Sequence, residues 1–116
     1  MAPALDRTRD ALFVERLHAK SAARGLAWTC AEHEGRYQVQ LGEFVIEVGD
    51  GAGGCPEILI CDASGRAIEL LTPELVEADE DALAARRRMF IETHEAARRM
   101  ALGVDQVIET LIDRLG

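Results

Sequence analysis

His94-Glu95-Ala96-Ala97-Arg98, with Glu92 just upstream, comes one residue short of H-E-x-x-H, the pattern that holds zinc on one face of a helix. Arg98 stands where the second histidine is needed, and a guanidinium one turn along repels a cation, so the usual zinc-hydrolase site is excluded. His94 also falls on an apolar helical stripe, and it reads as a core-edge histidine with a satisfied ring nitrogen. Cys55, beside the glycine-rich Gly49–Gly54 segment, has the chemistry of a nucleophile, with His18, His33 or His94 as its base. Nothing in the spacing links the thiol to any of them. The glycine-rich segment lacks the lysine and the following helix of a phosphate cradle, and it reads as a connection between strands. Glu74, Glu77, Asp79, Glu80 and Asp81 lack the glycine and further oxygen ligands of a calcium loop, so they read as the acid-rich start of a helix. Arg86, Arg87, Arg88, Arg98 and Arg99 are interrupted by Glu92 and Glu95 and read as ion-paired helix surface, with a carboxylate-binding interface as the alternative. No catalytic, cofactor-binding or metal-ligating residue is therefore assigned, and the expectation is a protein that is not an enzyme.

The composition points the same way. In 116 residues, a net charge of −8 opposes nucleic acid and anionic membranes, because the field of the whole protein repels phosphate. With 48% apolar residues the chain can form a core as one domain, without metal or disulfide staples. Cys30, Cys55 and Cys61 have no framework spacing and read as free thiols of a reducing cytoplasm, with Cys30 and Cys61 as small core residues in strands. The first ten residues reach charge too soon for a signal peptide, and no apolar run approaches the ~20 residues that span a bilayer. The expected location is cytoplasmic.

The elements that would position these residues follow from period. Residues 1–4 read as a frayed end. Asp6 or Thr8 caps a helix over residues 5–24, with Leu5, Leu12, Phe13 and Leu17 as its apolar side and Gly25 as its left-handed terminator. Alternation of period two then sets in over residues 26–71. Leu26, Trp28 and Cys30, then Tyr37, Val39 and Leu41, then Phe44, Ile46 and Val48 each mark a half-buried strand, with turns at Glu34-Gly35 and Gly42-Glu43. Residues 57–62 and 67–71 add two more strands around an Asp62–Arg66 turn, giving an antiparallel meander of about five strands.

Thr72-Pro73-Glu74 opens the helical last third, residues 73–115, with Asp79 able to cap again. Leu83, Phe90, Ala97, Val104 and Leu111 recur every seven residues, each followed four residues on by Arg87, His94, Ala101, Ile108 or Leu115. This is one stripe, with Gly103 as its weak point, where one helix could end and Val104-Asp105 start another; the unbroken phase favours a long helix, continuous or kinked at Gly103. From Glu80 to Leu115 such a helix would run about 54 Å at 1.5 Å per residue, against ~35 Å for a compact domain of this size. Its end must fold back or project. Val104, Val107, Ile108, Leu111, Ile112 and Leu115 are then the candidate interaction residues, because a monomer does not comfortably show such a patch to water.

Tyr37-x-Val39-x-Leu41-Gly42, Ile60-Cys61-Asp62-Ala63-Ser64-Gly65-Arg66 and Ala97-Arg98-Arg99-Met100-Ala101-Leu102-Gly103-Val104-Asp105 with its amphipathic continuation resemble a group of small uncharacterised bacterial proteins of α-β-meander-α layout, over residues 26–115. The resemblance implies that architecture and a bacterial cytosolic setting, and no activity. The element order and acidity are also loosely similar to secretion chaperones, although the chain lacks the helix those folds place in mid-sheet. The expected fold is α+β, with the N-terminal helix and the long C-terminal helix on one face of the meander. The expected function is a non-enzymatic interaction or adaptor module, a homodimer or a binder of another protein through its C-terminal helix. The alternative is a small acidic chaperone or immunity-type binder of a basic protein, through the acidic run Glu74 to Asp81 and the polar face of the sheet.

Overall fold

A computed structural model describes residues 8–116. The expected frayed end, with Leu5 and Asp6, lies outside them. Helix α1 is Thr8–Ala22, and it buries Val14, Leu17 and Ser21. Leu12, expected inside, is 44% exposed, so the buried stripe lies a step round the helix, on Val14. The terminator is also shifted. Arg24 takes the left-handed conformation at φ 60, and Gly25 follows it, donating its N–H to Lys20 O at 2.8 Å while the Arg24 N–H reaches Ser21 O at 3.1 Å. Those two bonds close a Schellman motif with Arg24, not Gly25, at its left-handed position.

Five strands follow in sequence order, all antiparallel: β1 Thr29–Cys30, β2 Tyr37–Leu41, β3 Phe44–Asp50, β4 Pro56–Asp62 and β5 Ala67–Leu71. The first is much shorter than the alternation from Leu26 implies. Leu26 and Trp28 are buried as expected, but Cys30 is exposed on an edge strand, whereas Cys61 is buried. Gly42, at φ 63, opens the two-residue link between Leu41 and Phe44, and Glu43 keeps a negative φ, the type II′ pattern. Register aligns Tyr37, Val48, Ile58 and Leu71 in one row across β2–β5, and Val39, Ile46 and Ile60 in the next. These rows face the helices.

Thr72 caps α2, Pro73–Val76, with its hydroxyl accepting from the Leu75 N–H, and Asp79 caps α3, Glu80–Ala101, by accepting from the Asp81 N–H. Helix α3 lies on the inner sheet face and touches β1 to β4. Helix α1 runs beside it in the same direction, as the contacts Glu15–Arg86, His18–Glu92 and Arg24–Asp105 require. Val14 and Leu17 of α1, Phe90 and Ala97 of α3 and the two sheet rows form one core, with Phe90 fully buried at its centre. The buried hydroxyls are satisfied: Trp28 Nε1–H donates to Ser21 Oγ at 3.1 Å, and Thr93 Oγ1 donates to Met89 O at 2.7 Å.

The expected long helix is two helices. Helix α3 ends at Ala101, its last carbonyls taken by Leu102 N–H and Gly103 N–H, and α4, Val104–Leu115, begins after Gly103 at φ 61, ψ 39. That left-handed conformation cannot continue a right-handed helix, and glycine adopts it without a Cβ clash. The stripe keeps its phase across the break, so the phase does not reveal it, although the mid-helix Gly103 marks its place. The principal extents are 67 × 36 × 25 Å, elongated well beyond a compact domain.

Candidate functional site

Helix α4 carries Val104, Val107, Ile108, Leu111, Ile112 and Leu115 on one side and Asp105, Gln106, Glu109, Thr110 and Asp113 on the other. None of its residues is buried. Val107 and Leu111 are each 52% exposed, and Leu115 is 87% exposed. Leu102, at the base of α4, extends the same bare surface. Exposed apolar side chain on α4 amounts to roughly 500 Å², near the largest patch an ordinary monomer shows. The residues singled out from period are thus brought together on one helix and left uncovered, with Val104, half-buried at the root, as the partial exception.

What ties α4 to the body is polar. Asp105, in its first turn, is gripped from two sides, by Arg24 at the end of α1 and by Arg99 near the end of α3, the latter at 2.6 Å. The Arg99 hydrogen bond, with both guanidinium charges, holds the Asp105 carboxyl below its ordinary pKa. The three ions border a crevice of about 430 Å³ between the two helix ends, floored by Ala22, Ala96 and Met100. The left-handed turn at Arg24 places its guanidinium here.

The residues with catalytic potential are dispersed or occupied. His94 stands at the core edge, its Nε2 3.0 Å from the Gly35 carbonyl and its ring 5.6 Å from that of Tyr37. His18 Nε2 lies 2.8 Å from Glu92 Oε1, joining α1 to α3. Glu95 is paired with Arg98 at 2.7 Å, which lowers its pKa. Cys55 borders a second crevice, of about 360 Å³, with the Gly51–Gly54 turn, Thr72 and Arg87. Burial, and then the charge of Glu74, raise the Cys55 pKa against the opposing pull of Arg87, so its environment disfavours the thiolate. Among the described residues no group of three or more His, Cys, Asp or Glu could hold a metal ion, and no helix is long and apolar enough to cross a membrane.

The acidic run is partly consumed by the protein's own arginines. Glu74 binds Arg87 at 3.0 Å, Glu77 binds Arg86 at 3.2 Å, and Asp79 is the α3 cap. Arg86 is largely buried between Glu77 and Glu15, a clasp between α1, α2 and α3.

One cluster escaped sequence reasoning. On the sheet face turned away from the helices, Arg36 donates through Nε to Glu47 at 2.7 Å and through Nη2 to Glu57 at 3.2 Å. Its stem lies across Gly49, where an added Cβ would meet Arg36 Cγ at 2.5 Å. Burial pulls the Arg36 pKa down, but the bonds and charges of Glu47 and Glu57 outweigh it and leave it raised. The available signal was the period of two: Arg36 precedes the inward Tyr37, so it shares the outer face with Gln38 and Glu47. The cluster closes on itself and reads as a clasp across three strands.

The β5 edge is also blunted. Ile68 and Leu70 are exposed there, yet the Leu70 N–H is taken by the Glu69 carboxylate at 3.0 Å. An edge whose donor is already bound is a poor template for another strand. Helix α4 is thus the surface that combines apolar character, continuity and exposure. Compared with known protein families, curated proteins and solved structures, the chain matches none.

Proposed function

We propose that this protein is a non-enzymatic interaction module that self-associates through α4. The observation carrying this reading is an apolar helical stripe, from Val107 to Leu115, none of whose residues is buried in its own domain. A three-turn helix on its own in water is marginal, and an amphipathic one draws most of its stability from packing its apolar face. The domain supplies no cover beyond the first turn, so a second surface must. A second copy offers the same stripe, and two such faces together remove roughly 1,000 Å² from water, the lower bound for a specific interface.

The test is mass in solution by size exclusion with light scattering. Wild type should run as a concentration-dependent dimer, and the double variant Ile108→Glu, Leu111→Glu as a monomer with an unchanged circular dichroism spectrum. A wild-type chain that stays monomeric at millimolar concentration sinks the reading.

A further inference from the structure

Resting on that reading, we propose that the two copies of α4 pair in parallel and in register, about a two-fold axis running along the helices. The argument is in the spacing of the bare residues. Val104, Ile108, Leu111 and Leu115 alternate by four, three and four, which is the a/d seam of a coiled coil with Ile108 and Leu115 at a and Val104 and Leu111 at d. Isoleucine at a over leucine at d, as in the central Ile108–Leu111 layers, is the combination that favours two parallel strands.

The residues flanking the seam decide more strongly. Val107 falls at g and Ile112 at e, positions usually given to charge, and both are more than half exposed. They are five residues apart. In a parallel pair, g of one helix lies against e of the next heptad of the other, so Val107 of each copy covers Ile112 of the other, twice by symmetry. An antiparallel pair sets g against g and e against e. Val107 would then face Arg114 of the second copy, and Ile112 would face its Asp105, each apolar side chain covered by a charge. Asp105 is moreover already held by Arg24 and Arg99 of its own chain. The two-fold is isologous and closes on itself, so the same patch is used by both copies and no filament follows.

A parallel pair places both bodies at the same end. Each chain carries a net charge of −8, and their repulsion opposes the contact until salt screens it. The dimer should therefore tighten with salt, by roughly threefold or more in Kd between 20 and 300 mM sodium chloride, screening lengths of about 20 and 6 Å. An antiparallel pair, with the bodies at opposite ends, is much less sensitive.

Disulfide trapping distinguishes the two. In a Cys30→Ser, Cys55→Ser, Cys61→Ala background, Leu111→Cys and Ile108→Cys chains are oxidised separately and as a mixture. Each single-cysteine chain should cross-link to itself, and mixing should add no preferred heterodimer. Cross-links confined to the mixture, in a chain that light scattering shows to be dimeric, overturn the parallel register and leave self-association standing. A monomer throughout overturns both. The salt titration uses the unaltered protein, so it remains decisive if the cysteine-free background folds poorly: a dimer that weakens with salt, or ignores it, counts against the parallel arrangement.

Discussion

Helices α3 and α4 carry one apolar stripe in one phase, and the domain uses only the first of them. In α3 the stripe residues Phe90 and Ala97 are fully buried, and Thr93 fills the space between them. In α4 the same stripe starts with half-buried Val104 and then, at Ile108, Leu111 and Leu115, faces water. The residue types do not explain the contrast, since α4 is the more apolar of the two on its striped side. The difference is what lies opposite. Helix α3 has the sheet beneath it and α1 beside it, whereas α4 begins after the left-handed turn at Gly103, past the end of both. An amphipathic period states that a helix has a surface to bury. It does not state whose surface covers it.

The contrast breaks most visibly under truncation. Phe90→Ala empties the centre of the core and should cost about 3–5 kcal/mol, enough to unfold much of the population of a marginal domain. Leu111→Ala, measured at a concentration where the chain is monomeric, should change the unfolding free energy by less than about 0.5 kcal/mol, because nothing in its own domain covers it. Urea denaturation of both variants checks the pair. A Leu111→Ala loss comparable to that of Phe90→Ala would mean that α4 is covered within its own domain.

Gly103 is the boundary of the comparison, and Gly103→Ala sharpens it. No atom stands within 4 Å of the position an added Cβ would occupy, so the cost is conformational and not steric. Holding alanine at φ 61 should cost about 1 kcal/mol. Part of that strain is relieved if the turn relaxes and α3 runs on into α4. The expected outcome is a small loss of stability with a gain of helical dichroism. A gain of stability would mean that the left-handed turn is not the resting state.

Much of this architecture is legible in the residues, because short-range physics specifies it. Period-two alternation locates β2 and β3, a near-continuous apolar run locates β4, and Thr72-Pro73-Glu74 carries its cap and first turn in three letters. Where reading falls short, two residues satisfy the same local rule and tertiary context chooses. Arg24 takes the left-handed position with Gly25 next to it because the two bonds back to Ser21 and Lys20 need that register, and Arg24 then reaches Asp105. Val14 replaces Leu12 inside because α1 packs chiefly against α3, which rotates its buried side. Cys30 alternates correctly but sits on a two-residue edge strand with no neighbour to cover it. Of the candidate surface, the six α4 residues follow from period and length and Leu102 does not; Gly103 marks the place of the break, but the phase favours continuity there, because a single left-handed residue interrupts the hydrogen bonds without disturbing the phase. The Arg36 clasp depends on β3–β4 register, which no local pattern records.

The smallest expected effect concerns how α4 is held. The Asp105 carboxyl, bonded to Arg99 and facing Arg24, has a folded pKa below its ordinary value. A depressed acid contributes stability above its unfolded pKa of about 3.9, and the contribution is lost as pH falls through the lower, folded value. At neutral pH the ion contact is therefore fully present; acidification begins to erode its contribution at about pH 4 and removes it only on passing the lower, folded value. All three side chains are substantially exposed, so salt screens the contact and global stability should hardly register its loss. The sensitive readout is local: amide hydrogen exchange across residues 104–115 should accelerate in Asp105→Asn at pH 7, while exchange in the centre of α3 around Phe90 stays unchanged. Exchange that quickens equally in both helices would mean that Asp105 supports the whole fold, and exchange that quickens in neither would mean that α4 is held by something other than its two arginines.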